Sequence, residues 1–301
     1  TAAQRETQGG QEFRSCAPFY VVIEKVLDRK EALPEGWRVH GTVGYETLNA
    51  LNGVFVDRLS REKLDGIYQD FIGHAIDFGR LIWSAKRRFA LRSMAGEVDT
   101  LAHRLDSISE SSRLYRDFTR SSLTTALREI IDHFPVYRTY VSPHDEQVSQ
   151  KDERYIRIAV ERAKKDTPQL GADVFDFVRD LLLLKLEGQF PEDQRPLYRD
   201  FVLRFQQLTA PIMAKGLEDT AFYIDNRLIS LNEVGGDPSH FGTSPGDFHK
   251  LNLERGRRWP AALVTTSTHD TKRSEDVRMR INALSELPDE WSAEITAWSL
   301  L

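Results

Sequence analysis

The sequence predicts an α/β, helix-rich fold, the C-terminal half of a (β/α)8 barrel interrupted by large α-helical insertions. Apolar, β-rich runs recur at 19–23, 136–141 and 262–268 of the 301 residues. Helical periodicity fills the long intervals between them, and strands separated by helices favour parallel pairing. Three strands are too few for a closed barrel or a comfortable open sheet. The helical stretches also exceed ordinary crossovers, so half a barrel with insertions is the simplest account.

The first strand is FYVVI at 19–23, ending on Glu24-Lys25. Its uninterrupted apolarity suggests cover on both faces, as in a parallel sheet. A loop rich in Gly, Pro and Trp follows, and from about residue 60 to 134 the pattern turns helical. Leu81, Ala85 and Phe89 fall four apart, and Leu101, Leu105 and Ile108 keep helical spacing. Ser121 or Ser122 is a candidate cap for the helix through Leu127 and Ile131. The second strand is VYRTYV at 136–141, alternating and β-branched or aromatic. Ser149 with Asp152 opens another helix, and Asp173 opens the next, with Gly188 as its expected stop. The helix after it should end or kink at Pro211. Ser244-Pro245 with Asp247 starts a further helix before the third strand, Ala262–Thr268.

This order divides the chain into a first barrel strand with an active-site loop (1–59) and a helical insertion (60–134). A second strand with helical and loop segments (135–250) and a third with a His-Asp pair and its helix (251–301) complete it. The polar start, without an initiating Met, and the still-helical EITAWSLL at the other end read as the edges of a piece cut from something longer.

A net charge of −5 argues against a general nucleic-acid binder. The cluster Lys86-Arg87-Arg88 with Arg92 reads as the solvated side of a helix. A single cysteine, Cys16, excludes an internal disulfide and fits a reducing, cytoplasmic compartment. No apolar run approaches the roughly 20 residues of a membrane span.

Chemistry concentrates at strand ends, where parallel α/β barrels carry their active sites. Glu24 follows FYVVI, and His269-Asp270 follows LVTTST. A carboxylic acid leaving an apolar strand can be partly desolvated, which suits a general acid. Two carboxylates on one rim are what glycoside chemistry uses; ordinary salt bridges or turn contacts remain the alternative. KGLEDTAFY at 215–223 sets Lys215, Glu218 and Asp219 beside Phe222 and Tyr223, a mixture that suits sugar hydroxyls and C–H faces, or an exposed turn after Pro211. NEVGGDP at 232–238 lacks the lysine and preceding strand of a phosphate loop and reads as a tight turn. His269 has no second His or Cys at ligand spacing, so no metal is expected.

Several long segments together resemble the maltooligosyl trehalose synthases, members of the α-amylase superfamily. They are ALPEGWRVHGTVGYETLNALNGVFVD, FPVYRTYV, RFQQLTAPIMAKGLEDTAFY, NRLISLNEVGGDP and STHDTKRSEDVRMRINALSELPDEW. The resemblance implies a cofactor-free intramolecular transglucosylation, in which the reducing-end α-1,4 bond of a maltooligosaccharide becomes α,α-1,1. It also implies a pathway partner, the trehalohydrolase that cleaves the product. Glu24 matches the family's acid/base and Asp270 its third acid, with His269 assisting. Tyr45, Lys215, Glu218, Asp219, Lys272 and Arg273 fall in matching motifs and are expected to hold substrate.

One departure stands out. The family's nucleophile is an Asp upstream of the acid/base, and residues 1–23 contain no aspartate. Arg104-Leu105-Asp106 has the right spacing but lies in a helical pattern downstream of Glu24. The expectation is therefore a central piece of the enzyme, inactive by itself. A plain glycosidase sharing the same acids, or a helical interaction module without catalysis, are the rival readings.

Overall fold

The computed structural model describes residues 19–28, 31–143 and 147–301; Cys16 lies outside them. The chain divides into two compact units. One comprises the described residues up to Ile76 together with Ile224–Leu301, and the other is Asp77–Tyr223.

The Asp77–Tyr223 unit is helical throughout its regular structure. Helices α3 (Phe78–Ser93), α4 (Ala95–Glu110), α5 (Arg120–Asp132), α6 (Gln150–Asp166), α7 (Ala172–Leu182) and α8 (Arg195–Met213) follow in order. Side chains cap three of them: Asp77 accepts from the Arg80 amide, Thr119 from Ser122 and Ser149 from Asp152. Each satisfies an amide that the first helical turn leaves without a partner. Thr119, not Ser121 or Ser122, caps α5, because the helix begins two residues earlier than periodicity suggested. The apolar stripes meet in one core, where Leu105, Leu127, Val160, Phe175, Phe201 and Phe205 are all fully buried. Each such side chain contributes about 1.5–3 kcal/mol by leaving water. Helix α7 stops at Leu182, and Leu184 takes a left-handed backbone, so LLLLKLEG does not run on to Gly188. Pro211 does not end α8. The helix passes through it to Met213 and opens into a π-helical turn, Ala214–Glu218, followed by a 3₁₀ turn, Ala221–Tyr223.

The other unit contains α1 (Tyr45–Val54), α2 (Arg61–Ile72), α9 (Pro245–Arg258), α10 (Glu275–Asn282) and α11 (Pro288–Trp298). Ser244 caps α9 by accepting from the Asp247 amide. Two apolar clusters hold this unit. One joins Val56, Leu64, Leu228 and Phe241, and the other Leu33, Val39 and Trp259. Buried amides tie its distant segments: Asn52 donates to Ser230 O (2.9 Å), and Asn282 donates to Asn52 O (3.1 Å).

The predicted partial barrel is not what the structure contains. Among the described residues there is no strand or sheet, only one isolated parallel bridge between Ile23 and Thr42. Residues 21–23 and 40–43 exchange a few backbone bonds, including Ile23 N to Gly41 O at 3.0 Å, and Leu263 N adds one to Thr42 O at 3.1 Å. Pairing goes no further, and Phe19, Tyr20 and Val264 remain more than half exposed. The VYRTYV segment finds its backbone partners on a side chain instead. The Gln206 amide accepts from Val141 N (2.6 Å) and donates to Val141 O (2.9 Å), replacing a neighbouring strand. β-Propensity records how a residue suits a pleated surface, not whether a partner strand exists.

Two glycines shape this crossing. Gly41 (φ 144°) and Gly44 (φ 98°) adopt backbone that L side chains rarely take. A Cβ on Gly41 would lie 2.4 Å from Ala262 Cβ, and one on Gly44 2.7 Å from Leu263 O. Only glycine lets residues 262–264 pass this close.

Candidate functional site

Glu24 stands at the end of the segment bridged to Thr42, and α1 carries Tyr45 directly after Gly44. The Tyr45 hydroxyl donates to Glu24 Oε1 at 3.0 Å. Tyr45 is 1% exposed. Burial is the main cause that pushes its phenol up to about 12, with the neighbouring Glu24 and Asp270 charges adding to it and a Thr268 hydrogen bond opposing. The hydroxyl therefore stays protonated at any neutral pH and remains a donor to Glu24. His269 Nε2 lies 4.0 Å from the same Glu24 oxygen, an ion pair only when the imidazole is protonated. The Glu24 side chain is 52% exposed, so the partial burial expected at a strand end is not found.

His269 and Asp270 form the tip of a tight turn. Asp270 N donates to Thr268 Oγ1 (3.1 Å), and Thr271 Oγ1 donates to Thr268 O (2.9 Å). The base of the turn rests on Glu233, which is fully buried. Its two carboxylate oxygens accept from the backbone amides of Lys272 (2.9 Å) and Arg273 (2.8 Å). Arg278, 1% exposed, approaches Glu233 Oε1 to 3.9 Å and donates to Arg273 O (2.8 Å) and Thr266 O. Burial pulls the Arg278 guanidinium below its ordinary range, with Glu233 the largest opposing influence. Sequence reasoning missed this pair. NEVGGDP is the tight turn it predicted, with Gly236 N bonded to Glu233 O at 2.7 Å, but nothing local to the motif marks the acid before the glycines as buried.

The structure thus gathers Glu24, Tyr45, His269 and Asp270 into one group, with Lys272 and Arg273 at its base. Lys215, Glu218 and Asp219 belong to the Asp77–Tyr223 unit. There Lys215 and Asp219 pair across one turn at 2.6 Å, both about half exposed. Glu218 is buried and accepts from the Tyr137 hydroxyl. Beneath them Gly216 lies against α3, where a Cβ would sit 2.8 Å from Lys86 Cα. Arg104 and Asp106 lie within α4, and Arg104 pairs with Asp200 at 2.5 Å.

A cavity of about 320 Å³ opens in the first unit, lined by Glu46, Asn49, Asp237, His240, Arg255 and Trp259. Neither Glu24 nor the His269-Asp270 turn lines it. Among the described residues no group of three or more His, Cys, Asp or Glu could hold a metal ion, and no helix is long and apolar enough to cross a membrane.

No family model matches the chain. A Mycobacterium tuberculosis protein assigned as a maltooligosyl trehalose synthase is 30% identical over 273 residues, covering 91% of this chain and 32% of that protein. Among solved structures, maltooligosyltrehalose synthase from Arthrobacter ramosus superposes with a TM-score of 0.78 at 32% identity, over 97% of this chain and 35% of that one. A hypothetical maltooligosyl trehalose synthase of Sulfolobus tokodaii gives 0.68 at 28% identity, over 96% and 33%. The chain resembles these synthases along nearly its whole length and spans about a third of the length of its curated relatives.

Proposed function

We propose that this chain forms part of a maltooligosyl trehalose synthase, with Glu24 as its proton-transfer residue and Asp270 as its substrate-gripping acid. The observation that carries the reading is the meeting of exposed Glu24 and His269 over the buried Tyr45, from segments far apart in sequence. Similarity to synthases along the chain supports it. The whole reaction, its maltooligosaccharide substrate and the downstream trehalohydrolase belong to this proposal.

The chemistry balances without water. Glu24 gives its proton to the glycosidic oxygen as the α-1,4 bond breaks, and the reducing-end glucose is released with a new 4-hydroxyl. The glucose turns over, and its anomeric hydroxyl attacks the glycosyl carbon, returning the proton to Glu24 as the α,α-1,1 bond forms. Asp270 would hold sugar hydroxyls while positive charge develops on the ring. Lys272, Arg273 and Tyr45 are proposed to contact substrate. A double-displacement route also needs a carboxylate nucleophile, which we do not assign to any residue of this chain.

The test is maltohexaose incubated with the full-length enzyme that carries this chain. Loss of reducing ends at constant total sugar supports the reading, because an α,α-1,1 product is non-reducing. A rise in reducing ends would make the protein a hydrolase built on the same acids. No change in either would favour the non-catalytic alternative.

Asp270→Asn separates binding from catalysis in the same assay. The amide keeps the size and much of the hydrogen bonding but loses the charge. Turnover should fall roughly tenfold or more with KM nearly unchanged, since the charge matters most when the ring is cationic. A variant altered in KM alone would make Asp270 a binding residue.

A further inference from the structure

We propose that Glu233, together with Arg278, is a positioning residue that sets the catalytic turn bearing His269 and Asp270; this rests on the functional reading above. Both ends of the turn are fastened to this one buried pair. Glu233 takes the Lys272 and Arg273 amides at 2.9 and 2.8 Å, while Arg278 takes the carbonyls of Thr266 and Arg273. The middle of the turn, His269-Asp270, is exposed.

The physical case turns on what a buried pair is good for. Removing two charges from water offsets most of their mutual attraction, so an apolar pair of similar volume would hold the fold as well. What an apolar pair lacks is direction. A carboxylate accepting two successive amides fixes the peptide planes between them, and a guanidinium fork fixes the two carbonyls it reaches. These bonds set where the chain leaves and re-enters the turn, and hence where Asp270 projects. Glu233 and Arg278 are themselves buried, at 0% and 1% exposed. Their action is through Asp270.

The experiment is a double-mutant cycle in the full-length enzyme with maltohexaose, using E233Q, D270N and the two combined. Glutamine keeps one acceptor oxygen but cannot take both amides. We expect E233Q to lower kcat roughly tenfold with KM little changed, since a misplacement of the order of 1 Å is enough for that. The double variant should lose clearly less than the product of the two single losses, because Glu233 acts chiefly through the Asp270 carboxylate that D270N has already removed. A residue that only holds the fold would give effects that multiply.

Where E233Q fails to fold, R278K replaces it in the cycle. It keeps the charge beside Glu233 and loses the fork on Thr266 and Arg273. Parental turnover in E233Q or R278K, or multiplicative loss in the double variant, would overturn the proposal while the D270N result still upholds the functional reading. Parental turnover in D270N would overturn both.

Discussion

Glu24→Gln is expected to lower the turnover of maltohexaose by about 10²-fold or more while substrate binding persists. Glutamine is the same shape as glutamate, and its carbonyl oxygen can still accept the Tyr45 hydroxyl now 3.0 Å from Glu24 Oε1. The local structure should therefore survive the change. What is lost is the proton, and both halves of the proposed reaction need it, first on the departing oxygen and then from the attacking anomeric hydroxyl. A 10²-fold loss corresponds to about 2.7 kcal/mol of transition-state stabilisation. Tyr45 cannot take over, because burial pushes its phenol up to about 12 and it holds its proton through the neutral range. Turnover and KM measured by loss of reducing ends decide the matter. Near-parental turnover would remove Glu24 from the chemistry and leave its contact with Tyr45 as a structural bond.

What could be read from the sequence was what neighbours along the chain determine. Ser149 with Asp152 and Ser244 with Asp247 were legible as helix starts, because a cap bonds an amide three residues on. The helical periods of 81–89 and 101–108 likewise survive as α3 and α4. The strands were misread because pairing depends on segments remote in sequence. FYVVI has the composition of a buried strand, yet Phe19 and Tyr20 are exposed, and VYRTYV is held at Val141 by the side chain of Gln206. Of the site, the residue types at 24 and 269–270 were visible. The buried support was not: nothing in NEVGGDP tells an acid that holds a turn from one that faces water. Lys86 was misread in the same way. It stands in a run of three basic residues and was expected on a solvated face, yet it is 1% exposed.

That lysine carries the largest expected effect on stability. Lys86 Nζ donates to Phe134 O at 2.9 Å, under the π-helical turn where Gly216 closes on α3. Burial pulls its ammonium down to about 7, and the nearby Asp132 opposes that; burial pushes Asp132 up to about 7, and Lys86 opposes that in turn. Lys86→Met keeps the length and packing of the side chain but leaves Phe134 O without its donor and takes the Lys86 amine from the neighbourhood of Asp132, which keeps the Arg87 guanidinium at 3.7 Å. Leaving the buried Phe134 carbonyl without its donor is expected to cost about 1–3 kcal/mol, and more at alkaline pH, where Asp132 must also lose its proton without the amine beside it. The sign of the pH dependence follows from both groups. In the parent, Lys86 has a folded pKa below its unfolded 10.5, so the unfolded chain binds more protons between about 7 and 10.5, and stability from this group rises with pH there. The variant lacks that gain. Asp132 has a folded pKa above its unfolded 3.8, so its contribution is present at low pH and lost as pH rises through the folded value. Without Lys86 that value climbs further, and the loss extends to higher pH. Both effects widen the gap between parent and variant as pH increases. Urea unfolding followed by far-UV circular dichroism should show a small difference at pH 5 and a large one at pH 8.5. Equal differences at the two pH values would mean that Lys86 acts through packing alone and that its charge has no part in holding this unit together.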